Sequence, residues 1–174
     1  MDKITIHNLI RKSLDGDLKS FEALIDEHQN QIYRVILGIV KNHVITQEIT
    51  QDVFIKSWRN LDKYDFKYNF KSWLNKIAVN ESINSLKSTR SFEEYNENLH
   101  AIESELDKID DSKLNKLRLA ITELSNDQKI IVQLKHFENF TYREISQILD
   151  VPEKTVKSRL YSARLVLRNH VKKS

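Results

Sequence analysis

Along most of this chain the apolar residues fall in steps of three and four, and almost nothing interrupts them. The 174 residues include only two glycines and one proline. A period near 3.6 marks the buried stripe of an amphipathic helix. Strands need alternation, and sandwiches and barrels need frequent Gly/Pro turns. The pattern predicts an all-α chain, and the scarcity of glycine excludes Gly-rich phosphate loops. Between Asp17 and Lys41, residues Phe21, Leu24, Ile25, Ile32, Val35, Ile36, Ile39 and Val40 trace one long stripe. Ile6, Leu9, Ile10 and Leu14 predict a short helix before it, ended near Gly16. Val44, Ile45, Ile49, Val53, Trp58 and Leu61 predict a third helix, and Phe70, Trp73, Leu74, Ile77, Ala78 and Leu86 a fourth. Residues 62–69 lie between the last two. Their aromatics continue neither stripe, so they read as an irregular loop.

Charge divides the chain further. Residues 1–90 hold 14 basic and 11 acidic groups, residues 91–111 hold one basic and eight acidic, and residues 112–174 hold 13 basic and six acidic. Two basic blocks joined by an acidic strap suggest two modules and a connector. The expected division is a helical domain at 1–90, an acidic linker at 91–111, and a second helical domain at 112–174. Masking of the basic C-terminal block by the strap is a hypothesis that charge alone motivates. The absence of cysteine excludes a disulfide framework, a thiolate zinc site and a thiol nucleophile, and fits a reducing cytosol. No apolar run approaches the length of a membrane span, and the N-terminus lacks the pattern of a signal peptide. The six histidines have no metal-ligand spacing. No enzyme activity, metal or cofactor is expected.

Past the strap, periodicity returns at Leu114, Leu117, Ile121 and Leu124. Ser125-Asn126-Asp127-Gln128 reads as a helix cap before Ile130, Ile131, Leu134 and Phe137. Thr141 with Glu144 forms a capping box opening a short helix to Leu149. Asp150-Val151-Pro152 turns the chain, with Pro152 suited to the first turn of the helix that follows. Short helix, tight turn, longer helix is a helix-turn-helix pattern. Ile145, Ile148, Leu149, Val151, Val156, Leu160 and Leu167 would seal the pair. The second helix would then show Lys154, Lys157, Ser158, Tyr161 and Ser162 outward. Residues 152–174 carry seven basic groups and one acidic. A helix of this width fits a major groove, with its N-terminal residues at the base edges.

Residues 54–73 hold seven of the fifteen aromatics, interleaved with Lys56, Arg59, Lys63, Lys67 and Lys71. Aromatic faces accept unstacked bases while cations hold phosphates. Phe54, Trp58, Phe70 and Trp73 lie on helical stripes and are expected in the core. Tyr64, Phe66 and Tyr68 lie off-stripe, and either stack on bases or simply pack the loop.

The segment Glu144-Ile145-Ser146 with Thr155-Val156-Lys157-Ser158-Arg159-Leu160-Tyr161-Ser162-Ala163-Arg164 resembles the promoter-reading helix-turn-helix of sigma factors, in particular the small extracytoplasmic-function (ECF) group of the sigma-70 family. Glu48-Ile49-Thr50-Gln51-Asp52-Val53-Phe54-Ile55-Lys56-Ser57-Trp58-Arg59 resembles the family segment that docks on the polymerase β′ clamp. Phe70-Lys71-Ser72-Trp73-Leu74-Asn75-Lys76-Ile77-Ala78-Val79-Asn80 resembles its promoter-melting helix. Where such proteins often have Gly at the helix-turn-helix turn and before Thr155-Val156, this chain has Asp150 and Lys154; Ser162 stands where a basic residue is frequent.

The resemblance implies a bacterial, cytoplasmic transcription initiation factor with a sigma-2-like bundle and a sigma-4-like helix-turn-helix. It implies that Lys154, Thr155, Lys157, Ser158, Arg159, Tyr161 and Ser162 face the minus-thirty-five element. It implies that Tyr64, Phe66, Lys67, Tyr68, Asn69, Lys76 and Asn80 face the minus-ten element, with a flipped base pocketed by the 62–69 loop. Asn80 is either a base contact or a solvated helix residue. Glu48, Gln51, Asp52 and Phe54 are the implied polymerase contacts, although the carboxylates alone read as ordinary surface charge. The implied partners are polymerase core through its β′ clamp and β flap, promoter DNA, and an anti-sigma factor, without membrane insertion. The alternatives are an autonomous helix-turn-helix regulator of the LuxR type, which would usually carry an α/β domain ahead of the motif, and a helical adaptor needing neither stacking loop nor basic helix.

Overall fold

The computed structural model describes residues 1–93 and 120–172, with side-chain surroundings for residues 1–88 and 120–169. Nearly all of the expected linker, the stripe at Leu114 and Leu117, and the strap's proposed masking lie outside the described residues. Those described are helical, with no strand among them.

Four helices make the N-terminal part: α1 (Lys3–Leu14), α2 (Leu18–Val40), α3 (His43–Arg59) and α4 (Phe70–Glu93). Their starts are set by short polar side chains that accept from the first free backbone N–H groups, an arrangement worth about 1 kcal/mol at each N-cap. Asp2 accepts from the Thr5 amide at 2.8 Å, Asp17 from the Lys19 amide at 3.1 Å, and Asn42 from the Ile45 amide at 3.0 Å. Between α1 and α2 the chain reverses at Gly16, whose φ of +95° suits a residue without Cβ. A 3₁₀ turn at Leu61–Lys63 begins the loop before α4. The fourth helix runs to Glu93, three residues past the expected domain edge at residue 90.

The four helices enclose Ile10, Leu24, Ile32, Ile36, Val53, Leu74 and Ala78. Within this apolar interior Gln31 and Asn75 exchange two amide hydrogen bonds at 3.1 and 3.2 Å, and the Asn75 amide also donates to the Lys71 carbonyl. The paired amides satisfy each other and fix the register of α2 against α4. Trp58 departs from expectation. It lies at the surface, its ring against Phe21 at 4.8 Å between centroids.

The C-terminal part comprises α5 (Asn126–Val132), a π-helical turn (Gln133–Phe137), α6 (Tyr142–Leu149) and α7 (Glu153–Lys172). Ser125 with Gln128, and Thr141 with Glu144, close reciprocal capping boxes. Asp150 ends α6 in the left-handed region at φ 55°, a conformation that Asp tolerates better than most residues. Ser146 donates its hydroxyl to the Val151 carbonyl at 2.6 Å, pinning the turn. Pro152 stands just ahead of α7 rather than in its first turn, and its carbonyl accepts from the Thr155 and Val156 amides. Ile145 and Ile148 of α6 meet Val156, Leu160 and Ala163 of α7 in a core that also holds Leu124, Ile130, Ile131, Leu134 and Phe140.

Candidate nucleic-acid interface

Burying Val156, Leu160 and Ala163 against α6 leaves the opposite face of α7 to solvent. Lys154, Lys157, Ser158, Tyr161 and Ser162 are exposed there, Tyr161 by 65 %. Thr155 and Arg159 are half-buried at the margin. Arg159 Nη1 lies 2.9 Å from Asp127 Oδ2, so the guanidinium is already engaged by α5. Lys157 Nζ sits 5.6 Å from the centre of the Tyr142 ring, whose face Lys135 also approaches, at 4.9 Å. A rigid helix is thus presented by its partner, with cations and hydroxyls along one side. This is the geometry by which a helix-turn-helix enters a major groove.

The loop before α4 separates its aromatics by burial. Tyr64 is only 5 % exposed. Its hydroxyl donates to the Tyr68 carbonyl at 2.7 Å, and its ring meets Phe66, Phe70 and Trp73 edge-on. Burial, assisted by Asp65, pushes the phenol up to about 12. As a base-stacking residue Tyr64 is therefore corrected: its faces are covered, and it acts as the post on which the loop is built. Phe66 is half-buried, edge-on to His7 at 5.0 Å and beneath the Arg11 guanidinium. Tyr68, 48 % exposed, offers a free ring, with Lys67 and Asn69 exposed beside it. Asp65 accepts from the Lys67 amide and Asn69 from the Lys71 amide, both at 2.9 Å. These short bonds hold the loop without regular structure. Farther along α4, Lys76 is half-buried and Asn80 exposed.

Two clefts flank this loop. One, of about 400 Å³, is lined by His7, His28, Gln31, Arg34, Asn69 and Lys71. Nε2 of His7 and Nε2 of His28 are buried without a hydrogen-bond partner. Burial holds His28 down to about 4, with Lys71 contributing and Glu27 opposing, so the imidazole is neutral at physiological pH. The other cleft, of about 310 Å³, is bounded by Tyr68, Ser72, Trp73 and Lys76, with Gln147 and Asp150 facing them from α6 and its turn. Ser72 Oγ is buried there without a partner. The histidines and Arg34 were not among the sequence candidates. The available signal was His28, a polar residue standing on the α2 stripe between Ile25 and Ile32.

On α3, Glu48, Gln51 and Asp52 are exposed. Phe54 is a second correction: it is 8 % exposed and packed in the N-terminal core, so it supports this surface from within. Ile55 and Trp58 are exposed on this helix. With Glu48, Gln51 and Asp52 they recur every three to four residues and share one helix face. This face combines carboxylates with apolar side chains, which suits a basic partner helix.

The profile described as Sigma-70 region 2 matches residues 24–92, and that described as Sigma-70, region 4 matches residues 114–167. The chain is 26 % identical to the ECF RNA polymerase sigma-E factor of Haemophilus influenzae, over 98 % of this chain and 97 % of that protein. It is 24 % identical to the ECF RNA polymerase sigma factor SigW of Bacillus subtilis, over 98 % of both. Among solved structures, the sigma factor RpoE in complex with the anti-sigma factor NepR from Bartonella quintana superposes with a TM-score of 0.73. That match has 21 % identity and covers 89 % of this chain and 98 % of the other. A region 2 match over most of α2 and over α3 and α4, followed by a region 4 match over the helix-turn-helix, places the chain in the sigma-70 family of RNA polymerase sigma factors, as a member of its ECF group.

Proposed function

We propose that this sigma factor directs polymerase core to promoters by reading two separated elements with two surfaces. The exposed face of α7, through Lys154, Thr155, Lys157, Ser158, Tyr161 and Ser162, enters the major groove of the minus-thirty-five element, with Arg159 at the edge held by Asp127. The loop at 62–69 with α4 captures the melted minus-ten element. Tyr68 stacks on an unpaired base, Lys67 and Lys76 hold phosphates, and Asn69 and Asn80 offer hydrogen bonds. Tyr64 and Phe66 hold the loop in place. The cleft lined by His28, Arg34 and Lys71 supplies a cationic, base-sized recess beside it. The exposed α3 face of Glu48, Gln51, Asp52, Ile55 and Trp58 meets the β′ clamp, and the C-terminal domain meets the β flap. The functional division is 1–90, 91–111 and 112–174. The site of action is the bacterial cytoplasm, where core polymerase and promoter DNA are found. An anti-sigma factor is the proposed antagonist, by analogy with the complex formed by the Bartonella relative.

The observation that carries this reading is the coexistence, in one chain, of a basic groove-fitting helix and a loop that presents an exposed aromatic ring between two clefts. An autonomous regulator needs only the first. Run-off transcription with bacterial core and a panel of promoters tests it. Accurately initiated transcripts and permanganate-reactive thymines at the minus-ten element are expected only when core and this protein are both present. Specific duplex binding by the protein alone, with no effect on core, would refute it.

A further inference from the structure

One flank of α7 is more basic than its groove-facing residues account for. Lys157 and Arg164 are both exposed there, seven residues apart, which is two helical turns or about 11 Å. Two side chains of the π-helical turn reach toward this flank, and such turns recur at functional sites. Lys135 Nζ donates to the Phe140 carbonyl at 3.1 Å and lies 4.9 Å from the centre of the Tyr142 ring. Lys157 Nζ approaches the same ring at 5.6 Å. One aromatic ring at the start of α6 thus draws in a lysine from each neighbouring element. His136, the next residue of the turn, is exposed, and its Nε2 lies 3.4 Å from Arg164 Nη2.

The chemistry of this last contact is specific. A guanidinium only donates, so Nε2 of His136 is the acceptor and carries no proton in the pairing. Partial burial, Arg164 and Lys135 hold the imidazole below its ordinary 6.5. The nearby carboxylates are engaged elsewhere. Glu138, two residues on, is buried and directed to Arg34 of α2, and Glu144 of α6 is held in the capping box of Thr141. Lys157 of α7 and the Tyr142 phenol of α6 complete the ionisable groups on this flank. The charges acting on His136 are therefore both positive, and a bound anion would reverse their effect.

We propose that Lys135, His136 and Arg164, flanked by Lys157, form a phosphodiester-binding track beside the recognition helix, and that filling it couples duplex binding to the uptake of one proton by His136. This inference rests on the promoter reading above and adds to it a strand contact and a pH dependence. A phosphate only accepts hydrogen bonds. Seated between Arg164 and His136, it replaces their mutual contact and takes an N–H from each, and its charge favours the imidazolium that the cations alone oppose. His136 is then neutral in the free protein and protonated in the complex, the proton coming from solvent. Affinity must rise as the pH falls through the interval between the free and bound values, by at most about tenfold per pH unit.

Holoenzyme assembled from bacterial core and this protein can be titrated with fluorescent promoter duplex at pH 6, 7 and 8 and fixed salt. The comparison is with His136→Gln, which keeps an acceptor for Arg164 but takes up no proton. The ratio of unmodified to His136→Gln affinity should grow about tenfold from pH 8 to pH 6, since the contributions of core and of the other histidines cancel in it. At pH 6, His136→Gln and Arg164→Ala should each lower the slope of log affinity against log salt by about one, for all promoter sequences alike. His136→Lys, with a permanent charge, should bind as tightly at pH 8 as the unmodified protein does at pH 6. Calorimetry at pH 6 in two buffers of different ionisation enthalpy should find more protons taken up by unmodified holoenzyme than by His136→Gln. A ratio that stays constant across this range, with promoter-specific binding intact, overturns the track and leaves the promoter reading standing. A loss in His136→Gln that is equal at every pH and leaves the salt slope unchanged also overturns it, because it marks a packing role alone. Absence of promoter-specific binding at every pH overturns the promoter reading, and the track with it.

Discussion

At the scale of single residues, burial assigns the work. His28 interrupts the apolar stripe of α2, is 6 % exposed, and rests against Phe70 with Nε2 unpartnered. An unfolded chain titrates histidine near 6.5, whereas burial holds the folded group to about 4. Between these values the unfolded state takes up a proton that the native state refuses. The contribution of neutral His28 is therefore complete above pH 6.5 and falls as the pH drops toward 4, by at most about 1.4 kcal/mol per pH unit. Urea unfolding at pH 7.5 and pH 5 should show the unmodified protein losing more stability than His28→Phe. Two tyrosines four residues apart should behave in opposite ways. Tyr68→Ala should lower minus-ten opening by the roughly 1–3 kcal/mol of one stacked base, read by permanganate footprinting, with little change in melting temperature. Tyr64→Ala removes a buried ring of the core and should destabilise the fold by about 3–5 kcal/mol, read by thermal unfolding.

At the scale of elements, the caps at Ser125 and Thr141 were legible because capping is local, and the caps found at Asp2, Asp17 and Asn42 follow the same chemistry. Asp2, Asp17, Asn42, Ser125 and Thr141 each accept from an amide two or three residues onward, and that chemistry needs no tertiary partner. The turn at Asp150 was legible for the same reason. Which residues on a stripe are covered is not a local matter. Phe54 and Trp58 are one helical turn apart on α3, yet Phe54 is in the core and Trp58 at the surface. The π-helical turn at Gln133–Phe137 left no trace in the apolar spacing, since one extra residue in a short helix is hidden by the breadth of its stripe. On α7, Lys157 is exposed and leans on Tyr142. If it contacts a phosphate, Lys157→Ala should weaken all promoters about equally and lower the slope of log affinity against log salt by about one. Loss confined to particular promoter sequences would assign it to a base edge instead.

At the scale of the whole molecule, the stripe on α2 is wider than one partner requires. Ile32 and Ile36 enter the N-terminal core, while Val35 and Ile39 enter the C-terminal one. Both cores therefore share α2, and α4 contributes to each through Ala78 and Val79. Shared helices couple the stability of the two halves, so urea unfolding should follow a single transition by fluorescence and circular dichroism. The charge placed by Val79→Glu should uncouple the halves, and the same two probes should then resolve two transitions. A single unshifted transition in that variant would show that the halves do not stabilise each other.

The order of residues was enough to specify most of the helices, the caps at Ser125 and Thr141, the helix-turn-helix and the separation of charge, because these depend on neighbours within about one helical turn. Folding together distant segments supplied the rest. It made Tyr64 a post and left Tyr68 exposed, put Trp58 rather than Phe54 at the surface, buried two histidine nitrogens without partners, and laid α6 along α4. Each outcome turns on which surface loses its water to which partner, a choice made between residues tens of positions apart that no local pattern encodes.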